Sequence, residues 1–218
     1  MAVEAVIFDM DGVLIDSEEY WWQARVEFAD SIGKPWTMDD HHACMGRSTA
    51  DWAAVMKQRM AIDLPIEDIM RETKKRVISR LEAHLPLLPG AVEAVHLAAS
   101  EYPVALASGS PTEVIEKVMS LTELDRVFKV MIFGDNIARG KPAPDIYLVT
   151  AQELGLPASM CVGIEDSGNG LRALKAAGMY AIAAPSPGFP LTPDLLELAD
   201  LALPSLENFS LDMVRSLG

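Results

Sequence analysis

The sequence predicts an α/β fold: a Rossmann-like parallel sheet covered by helices, with an α-helical domain inserted after the first strand. Three observations carry this expectation. Short apolar runs of strand length, rich in β-branched residues, recur along the chain. From residue 104 onward they alternate with helical stretches long enough to cross back over a sheet. Between the first run and the others, Ser17 to His84 has helical periodicity and no strand signal. Strand, helix, strand at this spacing means right-handed βαβ units and therefore a parallel sheet.

In chain order, Val3 to Phe8 is the first run, with the continuous apolar character of a central strand buried on both faces. The helical block follows. Trp21, Ala24, Phe28 and Ile32 share one face, breaks fall at Gly33-Lys34-Pro35 and near Gly46, and further helices run from about Thr49 to Met60 and Ile66 to Leu81. After Pro86 and Pro89-Gly90 come four runs, Val104 to Ala107, Val130 to Phe133, Met160 to Ile164 and Tyr180 to Ala183. Thr112 to Leu121, Pro144 to Leu154 and Ser167 to Ala177 lie between them as crossover helices. Residues 1–16 and 85–218 are thus expected to form the core, and 17–84 the helical insert.

The chain has 218 residues, 50% hydrophobic and 23% charged, an ordinary globular composition. Acids outnumber bases 32 to 18, for a net charge of −14 and a sequence pI near 4.6. Nucleic acid and anionic membranes need a basic footprint, so neither is expected as a partner. The two cysteines, Cys44 and Cys161, form no C-x-x-C unit and read as buried thiols. The first residues lack the basic region of a secretory signal, and no stretch approaches ~18 apolar residues. A soluble, cytoplasmic monomer is the expectation.

Ligands of open parallel sheets bind beyond the carboxyl ends of the strands. The polar residues there are Asp9 and Asp11, Ser108, Lys141, and Glu165 with Asp166. Taken alone, Asp11-Gly12 between apolar runs reads as a hairpin turn. The second acid pair changes that reading, because two carboxylate clusters in one crevice repel unless a cation joins them. Mg²⁺ suits such oxygen ligands. One oxygen of Asp9 would then be available to attack phosphorus, while Asp11 could protonate the leaving oxygen and later take a proton from water. Lys141, Ser108 and the Gly109 backbone, at the start of a helix, would receive the phosphoryl oxygens. The structural alternatives are a helix N-cap for Ser108 and a solvated loop lysine for Lys141.

Other signatures fit less well. Gly134 to Lys141 is one residue too long for a P-loop and has Pro142 where a metal-binding hydroxyl belongs. Gly163, Gly168 and Gly170 do not complete a dinucleotide fingerprint, and G-x-S-x-G is absent. His41, His42, His84 and His96 lack zinc-site spacing and read as solvated surface residues.

Asp9-Met10-Asp11-Gly12-Val13-Leu14-Ile15-Asp16-Ser17, Ser108, Lys141-Pro142-Ala143-Pro144-Asp145 and Glu165-Asp166-Ser167 resemble, in order and spacing, the four motifs of the haloacid dehalogenase superfamily. The insert resembles its small helical cap, near the beta-phosphoglucomutase-like phosphatases. The resemblance implies Mg²⁺ held by Asp9, the backbone carbonyl of Asp11 and Asp166, with Glu165 supporting the site, and an aspartyl-phosphate on Asp9. Dehalogenases and phosphonate hydrolases of this superfamily lack the acid matched by Asp11, so its presence points to phosphoryl transfer. The related sugar phosphomutases carry a histidine where this chain has Trp21, which favours hydrolysis.

Gly46-Arg47-Ser48 resembles the cap loop that meets substrate, with Arg47 gripping an anionic or hydroxyl-rich part of it. Equally, Ser48 to Asp51 reads as a capping box with Arg47 solvated. Trp21, Trp22, Trp36 and Trp52 read first as packing residues that could also line the cleft. The expectation is a Mg²⁺-dependent phosphatase of a small phosphorylated metabolite, a sugar phosphate. A phosphomutase is the alternative, and a catalytically silent metabolite-binding protein the third reading.

Overall fold

The computed structural model describes residues 2–44, 48–186, 188 and 190–218. Six strands, β1 (Ala5–Phe8), β2 (Val104–Ser108), β3 (Val130–Phe133), β4 (Cys161–Glu165), β5 (Tyr180–Ala183) and β6 (Leu201–Ala202), form one sheet in the order β3-β2-β1-β4-β5-β6. Every neighbouring pair is parallel. The first run begins as a strand at Ala5, and no hairpin follows it: β1 is central, pairing Phe8 with Leu106 on one side and Ile164 on the other. β6 had no sequence signal, because two residues are too few to show a pattern.

The chain leaves the sheet after β1 into α1 (Glu18–Ser31), α2 (Met38–His42), α3 (Thr49–Met60) and α4 (Ile66–Ala83). Trp21, Ala24 and Phe28 are buried on α1, which ends before Gly33, a turn residue at φ +66°. Ile69, Thr73, Val77 and Leu81 recur on the buried face of α4, against which α1 and α3 pack. The segments entering and leaving this block run side by side: Asp16 N–H donates to the Pro86 carbonyl at 2.9 Å, and Leu88 N–H to the Leu14 carbonyl at 2.9 Å.

The remaining helices are α5 (Ala91–Ala99), α6 (Thr112–Thr122), α7 (Asp145–Leu154), α8 (Gly168–Ala177), α9 (Pro193–Leu196) and α10 (Leu211–Arg215). Strand alternation sends Val6 and Phe8 to one face and Ala5 and Ile7 to the other. The first face packs on α5, α6 and α10, in an apolar cluster continuous with α1, α3 and α4. Phe8 is fully buried there between Phe128 and Phe209, a position where truncation to Ala costs about 3–5 kcal/mol. The second face is built of small residues, Ala5, Ala105, Ala107, Ala181 and Ala183, and takes α7 and α8. At Gly163 a Cβ would overlap the Leu174 side chain, so α8 lies as close to β4 as a glycine allows.

Both cysteines are buried and no disulfide joins them. Among the described residues, no helix is long and apolar enough to cross a membrane.

Candidate active site

A parallel sheet brings the ends of its strands to one edge, and the register here sets Asp9, just past β1, beside Glu165, the last residue of β4. Asp9 N–H donates to the Ile164 carbonyl at 3.1 Å, which holds the chain in line as the strand ends. Carboxylate oxygens of Asp9, Glu165 and Asp166 lie within 4.8 Å of one another. Lys141 reaches in from the loop before α7. Its Nζ is 2.6 Å from Glu165 Oε1 and 3.0 Å from Asp9 Oδ1, the latter an ion pair without hydrogen-bond alignment. The solvated-loop reading of Lys141 is therefore wrong: its side chain is only 13% exposed and packs over the Tyr147 ring, 5.1 Å from the centroid.

Glu165 is fully buried with both oxygens occupied by the chain's own donors. Oε1 accepts from Lys141 and, at 2.5 Å, from the Tyr147 hydroxyl; Oε2 accepts from the Ser167 hydroxyl at 3.2 Å. Ser167 also caps α8 by accepting from Gly170 N–H at 3.0 Å. A Cβ at Gly170 would overlap the Glu165 carboxylate, so this glycine gives the acid its room. Gly12, at φ +76°, does the same for Asp166: a Cβ there would overlap Asp166 Oδ2.

Asp11 is not part of that trio. Ser17 donates to its Oδ1, while Ser110 donates to Oδ2 at 2.7 Å and Ser108 more weakly at 3.3 Å. Of the expected metal set, Asp9, Glu165 and Asp166 cluster; Asp11 was expected there through its backbone carbonyl, and its carboxylate is taken by three hydroxyls. The N-cap alternative for Ser108 fails: α6 begins at Thr112, as expected, with Pro111 before it. The Ser108 hydroxyl instead accepts from Ser110 N–H at 3.1 Å. Thr112 N–H is taken by Asp135 Oδ2 at 2.8 Å, and Asp135 Oδ1 accepts from Thr49 of α3 at 2.9 Å, which ties the helical block to the sheet domain.

The electrostatics follow from burial. It pushes the Asp9 carboxyl up to about 7, against the pull of Lys141 and with the push of Glu165 and Asp11. Burial, then Glu165 and Asp9, carry Asp166 well above the usual carboxylate range. Asp11 is raised by burial and held back by Ser17 and Ser110. Lys141 is opposed by burial, yet Asp9 and Glu165 hold it charged well above the ordinary lysine value. One ammonium cannot balance these acids. An all-oxygen donor set with glycine-made room is what a hard divalent cation takes, and Mg²⁺ fits it. Asp9 and Asp166 have oxygens to offer such an ion, whereas Glu165 is engaged.

Asp9, Asp11, Lys141 and Asp166 border one cavity of about 560 Å³, together with Ser17, Gly109, Ser110 and, from the helical block, Glu18, Trp21, Arg25 and Trp52; Glu165 and Ser108 are fully buried and do not border it. Trp21 and Trp52 line it while packing edge-to-face at 5.8 Å; Trp22 and Trp36 do not border it. Arg47 lies outside the described residues; Ser48, beside it, caps α3 by accepting from Asp51 N–H. His42, His84 and His96 are exposed, but His41 is buried between Arg25 and Glu18, which corrects its reading as a surface residue. Tyr147 and Arg25 were missed from sequence. Their signal was a polar group on an otherwise apolar helix face, which needs a partner when buried.

Residues 3–178 match the model of the haloacid dehalogenase-like hydrolases. The chain is 38% identical over 185 residues to the phosphorylated carbohydrates phosphatase of Thermotoga maritima, covering 83% of this chain and 84% of that protein. It is 35% identical over 213 residues to hexitol phosphatase B of Escherichia coli, covering 93% and 92%. Among solved structures, CbbY from Rhodobacter sphaeroides in complex with phosphate superposes with a TM-score of 0.82 at 27% identity, covering 94% of this chain and 96% of that one.

Proposed function

The chain belongs to the haloacid dehalogenase-like hydrolase family, and from that premise we propose that it is a Mg²⁺-dependent phosphatase. Its substrate is a small phosphorylated metabolite, a sugar phosphate, and its intermediate an aspartyl-phosphate on Asp9. The observation that carries this reading is the meeting of Asp9, Glu165, Asp166 and Lys141 at one end of the sheet, with Asp11 held two residues away by three hydroxyls. The phosphatase names of two relatives support the substrate class.

Mg²⁺, when bound by Asp9, the Asp11 backbone carbonyl and Asp166, supplies positive charge for the phosphoryl oxygens and screens the carboxylates from one another. Glu165 serves that site indirectly, by fixing Lys141. One oxygen of Asp9 attacks phosphorus as the bond to the leaving oxygen breaks, and Asp11 gives that oxygen its proton. Water then attacks the aspartyl-phosphate, Asp11 takes the water's proton, and phosphate leaves. Lys141 Nζ, beside Asp9, neutralises charge gathering on the phosphoryl group. Ser110 and the Gly109 backbone, which border the cavity, would receive its oxygens, with Ser108 buried next to them and bonded to Asp11 and Ser110. Those oxygens would compete with Asp11 for the Ser110 hydroxyl, and phosphate binding would thereby loosen the hold on Asp11. Residues 17–84 act as a cap that excludes bulk water during the transfer. Trp21, packed edge-to-face against Trp52, has no group able to serve as a proton acceptor, which favours hydrolysis over a mutase.

The test is phosphate release over hexose phosphates, hexitol phosphates, phosphoglycolate and nucleotides, with Mg²⁺ or with a chelator. Release that requires Mg²⁺ and falls by at least about 10³-fold in Asp9→Asn is expected, the scale of losing a nucleophile. Undiminished turnover by Asp9→Asn overturns the reading.

A further inference from the structure

The helical wall of the same cavity carries a cation that the proposed phosphoryl transfer does not use. Arg25 lies on the inward face of α1, one turn after Trp21, and only 4% of the residue is exposed, yet it borders the cavity. Its guanidinium carbon stands 5.4 Å from the Trp21 ring centroid and 5.6 Å from that of Trp52. Nη1 is 2.9 Å from His41 Nδ1, and His41 Nε2 is 2.7 Å from Glu18 Oε1.

The roles in this chain follow from what each group can do. An arginine only donates and a carboxylate only accepts, so His41 gives its Nε2–H to Glu18 and offers the Nδ1 lone pair to Arg25. The carboxylate of Glu18 lies on the far side of the ring from Arg25. Burial is the largest influence on the guanidinium and works against its charge. Among the described residues, its Nε–H is buried without a partner. A buried cation with no acid in contact and an unmade donor is a costly arrangement unless a ligand completes it.

From this buried, incompletely paired guanidinium beside two indoles we infer that Arg25 is the receptor for a second acidic group of the substrate, a carboxylate or a further phosphate. The inference deepens the phosphatase reading and rests on it: the same metabolite presents its phosphoryl group to Asp9. Nη1 is engaged by His41 and Nε–H has no partner among the described residues, so the guanidinium keeps an unmade donor for the oxygens of an acid. A sugar hydroxyl would fill one donor and leave the charge unanswered. The Glu18–His41 pair acts as a positioning device that keeps Arg25 turned toward the cavity.

Matched substrates test this: 3-phosphoglycerate against glycerol 3-phosphate, gluconate 6-phosphate against glucitol 6-phosphate, and glucose 1,6-bisphosphate against glucose 6-phosphate. The first two pairs read a carboxylate at two chain lengths, the third a phosphate. In at least one pair the wild type should favour the acidic member tenfold or more in kcat/KM, chiefly through KM. Arg25→Met should bring that ratio near one, and Arg25→Lys should restore part of it. A wild-type ratio at or below one in every pair, or a ratio unchanged in Arg25→Met, overturns the inference. A second measurement needs no turnover and no Arg25 variant: tryptophan fluorescence titrations of Asp9→Asn should show tenfold tighter binding of the acidic member, and equal binding in all three pairs overturns the inference. If no substrate releases phosphate yet the titrations retain the preference, the phosphatase reading fails while Arg25 keeps its assignment as an acid receptor.

Discussion

Tyr147 donates its phenolic proton to Glu165 Oε1 over 2.5 Å, and Lys141 Nζ reaches that same oxygen at 2.6 Å. Burial, followed by the negative charge of Glu165, raises the Tyr147 pKa well above the ordinary phenol value, so the hydroxyl keeps the proton it donates. Glu165 thereby carries two donors on one oxygen in a fully buried setting, and the position of Lys141 depends on both.

Tyr147→Phe removes one of these donors and changes little volume. A hydrogen bond to a charged group is worth about 1.5–3 kcal/mol, and urea unfolding should show a loss of that size. Mg²⁺ affinity should fall by roughly tenfold, the usual effect of disturbing a group behind the ligands. Unchanged stability and metal titration would place the Tyr147 contact outside the energetics of the site.

Asp11→Ala should slow the release of the leaving alcohol and the hydrolysis of the phosphoenzyme alike, each by about 10²–10⁴-fold as for a lost general acid–base group. Because its carboxylate sits on Ser17, Ser108 and Ser110 and not in the acid trio, Mg²⁺ binding should survive. Rapid-quench kinetics with a metal titration separate the two effects; a variant at full rate would remove the proton-transfer role.

Gly170→Ala sets two effects against each other. Inside a helix, alanine in place of glycine normally stabilises by up to ~1 kcal/mol. Here the new methyl would collide with the Glu165 carboxylate, and overpacking of this kind costs about 1–3 kcal/mol. The collision should win, giving a lower melting temperature and weaker Mg²⁺ binding than the wild type. A more stable variant with intact metal affinity would show that Glu165 can move aside at no cost.

The helix α2 offers a pH test away from the site. Thr37 and Asp40 form a reciprocal capping box, with Asp40 Oδ2 accepting from Thr37 N–H at 2.9 Å and from its hydroxyl at 2.7 Å. The Thr37 hydroxyl is the main cause of an Asp40 carboxyl held below its usual value. A depressed carboxylate stabilises fully above its unfolded pKa of ~3.9 and loses that contribution as pH falls through the lower folded value. Thr37→Ala should cost about 1 kcal/mol near neutral pH, with the gap to wild type narrowing below pH ~4. A gap that stays constant down to pH ~3 would detach the cap from the charge of Asp40.

Much of the fold was legible because its signals are local. The apolar runs at 104, 130, 160 and 180 became strands, and the periodic stretches between them became helices. Candidate site positions were legible for a topological reason: a parallel sheet collects the residues that follow its strands, so Asp9, Ser108, Glu165 and Asp166 could be singled out before any contact was known. The helix expected from Thr112 starts there, where Pro111 precedes it and the Asp135 carboxylate takes the Thr112 N–H, which is why Ser108 is not its N-cap.

What sequence alone determined about this protein was which residues lie at the strand ends, and therefore which chemistry is available there. Tertiary structure decided whom each polar group meets: that Ser108 and Ser110 turn to Asp11, that Tyr147 stands under Glu165, that His41 is buried between Glu18 and Arg25. Apolar periodicity is written within a few neighbouring residues, where a sequence can be read. The partner of a buried donor is whichever acceptor comes within about 3 Å, and for Ser110 and Asp11 that acceptor lies 99 residues away along the chain.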